Sequence, residues 1–466
     1  MTTLAPLNDF PDRLSPMVVK ELRQGLRTRL FGGVMLVLHT LLVLITLITA
    51  ASNDGAEARA LMDGIVTLVL CGLYPLCGFS ALAGEIKANT MDMLVLTRLS
   101  AWRIVMGKWA AVVFQSLLVT VSVVPYLVAR YVFGGSELFT DLHSLFSQWL
   151  LSAVLTAGVV ALSTQKQFWL RALILCLPLI LAGIGSIARI TVGMMGGTSF
   201  SLVRNQGFWA FAGGLLGMAW LIFALLSFGA SRIAPAASLL PVTKRLVNLA
   251  ALLVLPAIQW LAVPNSSLHG VILCVLVVAS VDALTEDVRS LPSIYLPFYR
   301  RSWWGRTASW FLAPGWMHGF LYSLLLFFIS ITALWLIQGW EAAAQVWLIG
   351  CCLWLSALFA QVLAIQRRGE YLSAMFAGVC LMALFSTVNF LLTKVSAYKT
   401  DLEWLACFWP VNAFWVSQTK WIGGWSLFQI SLVVNAVWPA ALVMPALLAF
   451  LRTRHAREEA RHLLGS

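Results

Sequence analysis

The chain has 466 residues, of which 60% are hydrophobic and only 11% charged, and its mean hydropathy is +0.87. Soluble domains sit near about 45–50% apolar and about 25% charged; a water-soluble fold of this length is excluded, and a polytopic all-α membrane protein is indicated. The net charge of +12 is no nucleic-acid footprint, because a membrane protein gains a basic excess simply by holding its cytoplasmic loops with Lys and Arg.

The 21 Trp and 26 Phe suit a chain with many bilayer interfaces. The eight cysteines lie mostly inside apolar runs without metal or redox spacing, so they read as small packing residues. The N-terminal stretch is polar and charged and the first apolar run is long enough to span, which predicts an uncleaved anchor.

Residues 1–30 form the N-terminal segment. Ser15 followed by Pro16 is a helix start, after which Val18, Leu22, Leu26 and Leu30 share one face. Lys20, Glu21, Arg23, Arg27 and Arg29 occupy the rest, the pattern of an interfacial helix with its cations near anionic headgroups. The plainer alternative is a generic positive-inside anchor. Apolar runs near 31–51 and 60–83 follow, each long enough to cross the hydrocarbon.

Between 85 and 108 the apolar character breaks. Met91, Leu94, Val95 and Leu99 keep a helix-like spacing while Asp92, Arg98 and Arg103 stay off that stripe. Such a helix at the water boundary suits a soluble partner or the headgroups, and a solvated loop is the plainer alternative. The phrase Asn89-Thr90-Met91-Asp92-Met93-Leu94-Val95-Leu96-Thr97-Arg98-Leu99-Ser100, preceded by Glu85 and ending in Gly107-Lys108, resembles the coupling loop of type-2 ABC exporter permeases. That family has Gly-Thr-Leu-x-x-Leu-Leu-x-Thr-Pro-Leu-Ser there; Asn89 replaces the Gly and Arg98 the Pro. The first change is mild, since Asn tolerates left-handed geometry, and the second alters the loop shape. Lys20-Glu21-Leu22 likewise resembles the elbow helix with which such permeases begin.

Further spans are predicted near 109–131, 147–164, 169–191 and 208–230, then 246–263, 268–285, 317–339, 344–365, 371–393 and 426–450, about twelve in all. With the N-terminus inside, all but seven of the 31 Lys and Arg fall in cytoplasmic segments, so both termini are placed in the cytoplasm. The two sets of six spans, 31–235 and 236–451, read as a 6+6 pseudo-repeat with parallel halves. Each opens on a Pro and a basic cluster, Pro16 with Lys20 and then Pro241 with Lys244-Arg245. Each also has its largest internal loop between spans two and three. The second such loop, 282–316, holds Glu286, Asp287, Arg289, Arg300, Arg301 and Arg306 around Ser302-Trp303-Trp304-Gly305. Residues 396–425 form an external aromatic segment suited to re-entrant or interfacial helices, with a surface loop as the alternative, and 452–466 a basic cytoplasmic tail.

No phosphate-binding loop is present: the one Gly-Lys, at 107–108, is followed by Trp109 where Ser or Thr is required. Ionisable groups in the spans are few. Asp63, Arg130, Arg171, Arg189, Asp282 and His39 lie mostly near span ends, where long Arg side chains are expected to snorkel. His39, His269 and His318 are isolated, without paired carboxylates or metal spacing. No catalytic residue and no metal site is assigned, and the chain is not expected to be an enzyme.

The resemblance implies a permease subunit of the bacterial inner membrane, moving a substrate outward. ATP and Mg would sit on separate cytoplasmic ATPase subunits, two copies, and this chain would bind no cofactor itself. Membrane lipid and a second permease chain are the other implied partners. The ATPase-coupling residues would be Glu85, Asn89, Thr90, Asp92, Leu94, Thr97, Leu99, Ser100, Arg103 and Lys108. A weaker second loop would use Glu286, Asp287, Arg289, Arg300 and Arg301. An ion-coupled 6+6 secondary transporter, or a membrane anchor of a motility or secretion assembly, stays open.

Overall fold

A computed structural model describes residues 16–51, 55–79, 100–133, 137–164, 208–235, 237–262, 268–288, 291–300, 302–364, 371–395, 407, 409–413, 421–422 and 425–465. Within them the chain is helical apart from one two-residue antiparallel pair, Trp421–Ile422 with Trp425–Ser426. Ten helical stretches among the described residues are long and apolar enough to cross a membrane. Of the twelve expected spans, 169–191 lies outside the described residues. Leu268–Leu284 has only 17 residues, about 26 Å of helix, just short of the hydrocarbon thickness.

The chain divides into two compact units. The first comprises residues 1–205 and 221–234, the second 206–220 and 235–466. In the first, α1 (Pro16–Leu26) begins on its proline, whose missing N–H costs nothing at a helix start. Thr28 then caps α2 (Arg29–Ala51), its hydroxyl accepting from Phe31 N at 3.3 Å. This turn between two helices is the elbow. One face of α2 (Leu38, Leu42, Ile45) packs on Met62, Val66, Leu70, Val119 and Val123. Its opposite face leaves Leu36, Leu44 and Leu47 exposed, as a span in contact with lipid must.

The second span departs from a plain helix. It runs as α3 (Gly55–Thr67), a π-helical turn at Leu68–Leu73 and α4 (Tyr74–Cys77). Pro75 explains the turn: it offers no N–H to Cys71 four residues back and its ring would clash with that carbonyl, so the ladder widens. The disturbed backbone is met from α6 (Leu138–Leu162), where Ser152 Oγ donates to Leu70 O. α6 starts nine residues before the predicted 147, and α5 (Ala101–Val132) eight before the predicted 109. Both extensions carry polar residues that hydropathy counts against a span, yet Lys108, Asp141 and Ser144 are buried. Helix α7 (Phe208–Ile233) has its first half in the second unit and its second half in the first.

The second unit is built from α8 (Leu240–Ala262), α9 (Leu268–Leu284), α10 (Pro292–Tyr299), α11 (Ser302–Leu312), α12 (Trp316–Gln338), α13 (Trp340–Ala364) and α14 (Tyr371–Val395). A short α15 (Pro410–Ala413), α16 (Leu427–Val434), α17 (Val437–Arg452) and α18 (Arg454–Gly465) complete it. α9 and α12 approach so closely that a Cβ on Gly319 would lie 1.9 Å from Ala283 O. Trp354 of α13 donates from Nε1 to Ser323 Oγ at 3.0 Å and meets Phe327 edge-on, tying α13 to α12.

The predicted last span is two helices joined at Asn435 and Ala436. Buried Asn435 satisfies the break itself. Its amide donates to Cys407 O at 3.0 Å and Ser431 O at 2.7 Å, and its Oδ1 accepts from Trp438 Nε1 at 3.0 Å. Most of the external aromatic segment lies outside the described residues. Its described part folds back on the spans, with Trp409 stacked on Phe385 and Asn412 bonded to Ser386. The C-terminal residues are not a free tail: α18 buries Ala456 and Ala460 against Ile294, Tyr295 and Phe298 of α10. Two alanines one turn apart give too little hydropathy to signal that contact.

Candidate functional site

Residues 85–99, which hold Glu85, Asn89, Thr90, Asp92, Leu94, Thr97 and Leu99, lie outside the described residues. The loop's exit is described. Ser100 is the N-cap of α5, its hydroxyl accepting from Arg103 N at 3.3 Å, so the phrase ends at a fixed helix start. Two turns on, Lys108 is only 4% exposed and its Nζ lies 3.2 Å from Glu21 Oε1 of α1. α1 is therefore held onto the first turns of α5 by a largely buried ion pair, with Val18 buried beside it. Lys20, Arg23 and Arg27 stay exposed on the far side of α1, as an interfacial helix requires. Lys108, expected among the loop's docking residues, has its charge engaged within the chain.

The second loop begins with a denser cluster. Lys244 and Arg245, in the first turns of α8, are each about 1% exposed. Lys244 Nζ lies 2.8 Å from Asp282 Oδ2 and 2.6 Å from Glu286 Oε1, and Arg245 Nη2 lies 2.6 Å from Glu286 Oε2. Among the described residues, two cations thus meet two carboxylates and their charges balance. Arg245 does more than pair. Its Nη1 donates to Phe311 O and Ala313 O, both at 2.7 Å, which satisfies carbonyls left open at the end of α11.

Gly315 then turns the chain at φ +113°, a conformation that favours glycine. Its N–H donates to Glu286 Oε2 at 3.1 Å and starts α12. Burial alone would raise the Glu286 pKa. Arg245, then Lys244 and the Gly315 N–H, outweigh it and hold the carboxyl down at about 2. His318 donates from Nδ1 to Trp310 O at 3.1 Å, and Tyr322 from its hydroxyl to Arg245 O at 2.6 Å. The cluster fastens four helix ends at one level.

Of the expected second-loop residues, Glu286 is therefore engaged inside the fold, while Asp287 and Arg300 are exposed. Arg289 and Arg301 lie outside the described residues. Sequence reasoning assigned Lys244 and Arg245 to a basic loop and left Asp282 as a lone span charge. Their position at the start and end of consecutive apolar runs was the available signal, because an antiparallel hairpin brings those ends together.

A third charged pair lies in the first unit. Arg130 near the end of α5 and Asp141 near the start of α6 are 2% and 1% exposed, and Arg130 Nη2 bonds Asp141 Oδ2. Arg130 Nη1 also faces Met62 Sδ. The expectation that Arg130 snorkels to the surface is corrected: a carboxylate one hairpin turn away holds it inside. Asp63, at 8% exposure, lies on the same second span as Met62. His39 makes its contact locally, Nδ1 to Met35 O at 2.8 Å.

Among the described residues, no three His, Cys, Asp or Glu side chains gather as a metal ion would need. Among the described residues, these charged groups pair across the ends of neighbouring helices and so tie those ends together. No sequence-family profile, curated protein or solved structure matches the chain.

Proposed function

We propose that this multi-pass helical membrane protein is the permease of an ATP-driven exporter, with hydrolysis on separate cytoplasmic ATPase subunits. The observation that carries the reading is the join between the 85–108 phrase and the fold. Its Ser100 end is the capped start of the 32-residue helix α5, and eight residues further Lys108 grips Glu21 of the elbow helix. A load applied to the loop would therefore reach a span and an interfacial helix together. In this reading Glu85 and Asp92 pair with cations on the ATPase, Thr90, Leu94 and Leu99 pack into its groove, and both chain ends are cytoplasmic.

The test is affinity capture of the tagged chain from gently solubilised native membranes. A retained Walker-type ATPase supports the assignment, and its loss from Asp92→Ala and Leu94→Ala variants that still purify as folded protein locates the contact. Capture without any ATPase, or undiminished capture by both variants, overturns it.

A second reading, an ion-coupled transporter, is favoured by one observation: charged Arg130 and Asp141 are buried in spans, with Asp63 in the same unit. Proton- or sodium-dependent uptake by reconstituted protein, absent from Asp63→Asn, would select it over the exporter.

A further inference from the structure

α11 is turned the opposite way from a soluble amphipathic helix. Gly305, Ser309 and Ala313 face the protein and are buried, whereas Trp303, Trp304 and Trp310 face outward at 58%, 69% and 49% exposure. Trp303 and Trp304 stack on each other and Trp310 leans on Phe450 of α17, and their exposed faces form an apolar surface of the kind that is covered in the working protein.

Its height is fixed. The chain leaves span α9 at Leu284 and enters span α12 at Trp316, and Arg245, at the start of span α8, holds the last carbonyls of α11. The helix therefore lies where the spans leave the hydrocarbon, the depth at which tryptophan is most stable. Charge agrees with place: residues 288–316 contain four arginines and no Asp or Glu, and Arg300 and Arg306 are exposed beside the indoles.

We propose that α11 is a membrane-interface helix. Its three tryptophans sit among headgroups and upper acyl chains, while Arg300 and Arg306 hold the phosphates of anionic phospholipids. Lipid is favoured over a soluble protein partner because the spans on either side already place this face at the bilayer. A soluble partner would leave the indoles in water whenever it was absent. The inference does not depend on the exporter reading, and it assigns Arg300 to lipid rather than to an ATPase.

The experiment replaces Trp304 with p-benzoylphenylalanine in the full-length chain and irradiates native membranes. Phe328, 66% exposed in the middle of span α12, is the reference position. Adducts at 304 are expected to be phospholipids, enriched in anionic headgroups about fivefold per arginine relative to 328. That enrichment should disappear in Arg300→Gln/Arg306→Gln while the adducts at 328 stay unchanged. A polypeptide adduct at 304, no adduct there, or lipid adducts of the same composition as at 328 would overturn the proposal. A polypeptide adduct identified as an ATPase would do so while supporting the exporter reading.

Discussion

Replacing Glu286 with Gln tests whether the ion-pair cluster at the base of the second unit acts as an anchor. The change takes the Glu286 carboxylate from both Lys244 and Arg245, so that among the described residues of the cluster two cations face one carboxylate, that of Asp282. Removing one partner of a buried pair costs about 3–5 kcal/mol. Proton linkage has the same sign: the two cations and the Gly315 N–H outweigh burial and hold the carboxyl below its usual range, so the ionised form stabilises the fold. The sign follows from a depressed carboxylate. Its contribution is complete above about pH 4.5 and is lost as pH falls through about 2.

Reversible unfolding in mixed micelles should therefore show Glu286→Gln less stable by about 3 kcal/mol at neutral pH, with the deficit shrinking below about pH 4.5. Adding Lys244→Met restores that balance, so the double variant should cost less than the sum of the single ones by about 1–3 kcal/mol. Strictly additive costs, or a deficit unchanged by acid, would refute the anchoring argument.

Arg130→Met removes the guanidinium from Asp141 inside the first unit and should cost about 3–5 kcal/mol in the same assay, with most of it recovered in Arg130→Met/Asp141→Leu. If recovery fails, the pair is not an isolated neutral unit. Gly319→Ala forces α9 and α12 apart, since the new Cβ would meet the backbone oxygen of Ala283 rather than a movable side chain. Overpacking of this kind costs about 1–3 kcal/mol. Wild-type stability in that variant would mean that the helices slide past each other freely.

The spans were legible because bilayer physics writes them as long apolar runs, and eleven of the twelve predicted runs coincide with described helices. Their ends were less legible where polar residues are satisfied internally. Asp141, Ser144 and Gln148 lower hydropathy without ending α6, and Ser100 to Lys108 reads as loop although it caps and begins α5. Interruptions inside an apolar run left only faint marks, Pro75 for the π turn and Asn435 for the broken last span. The ion pairs were hidden for another reason. Each joins residues that composition counts separately, and only the antiparallel register of neighbouring helices makes Lys244 a partner of Asp282 or Arg130 a partner of Asp141. The outward tryptophans of α11 were visible as letters, but which face they occupy is set by Gly305, Ser309 and Ala313 packing inward.

The hold of Arg245 on the chain also orders events during synthesis. Its carboxylate partner Glu286 lies 41 residues later, and the carbonyls it caps at Phe311 and Ala313 lie 66 and 68 residues later. When α8 leaves the ribosome, Arg245 and Lys244 are bare cations at the edge of a span, which hydrocarbon disfavours. The ion pairs that bury these two cations can form only after α9 has delivered Asp282 and Glu286. α11 finds its seat later still, when the chain has turned at Gly315. The anchoring cluster of the second unit is thus completed only once the chain has been made as far as Ala313, well after α8 itself.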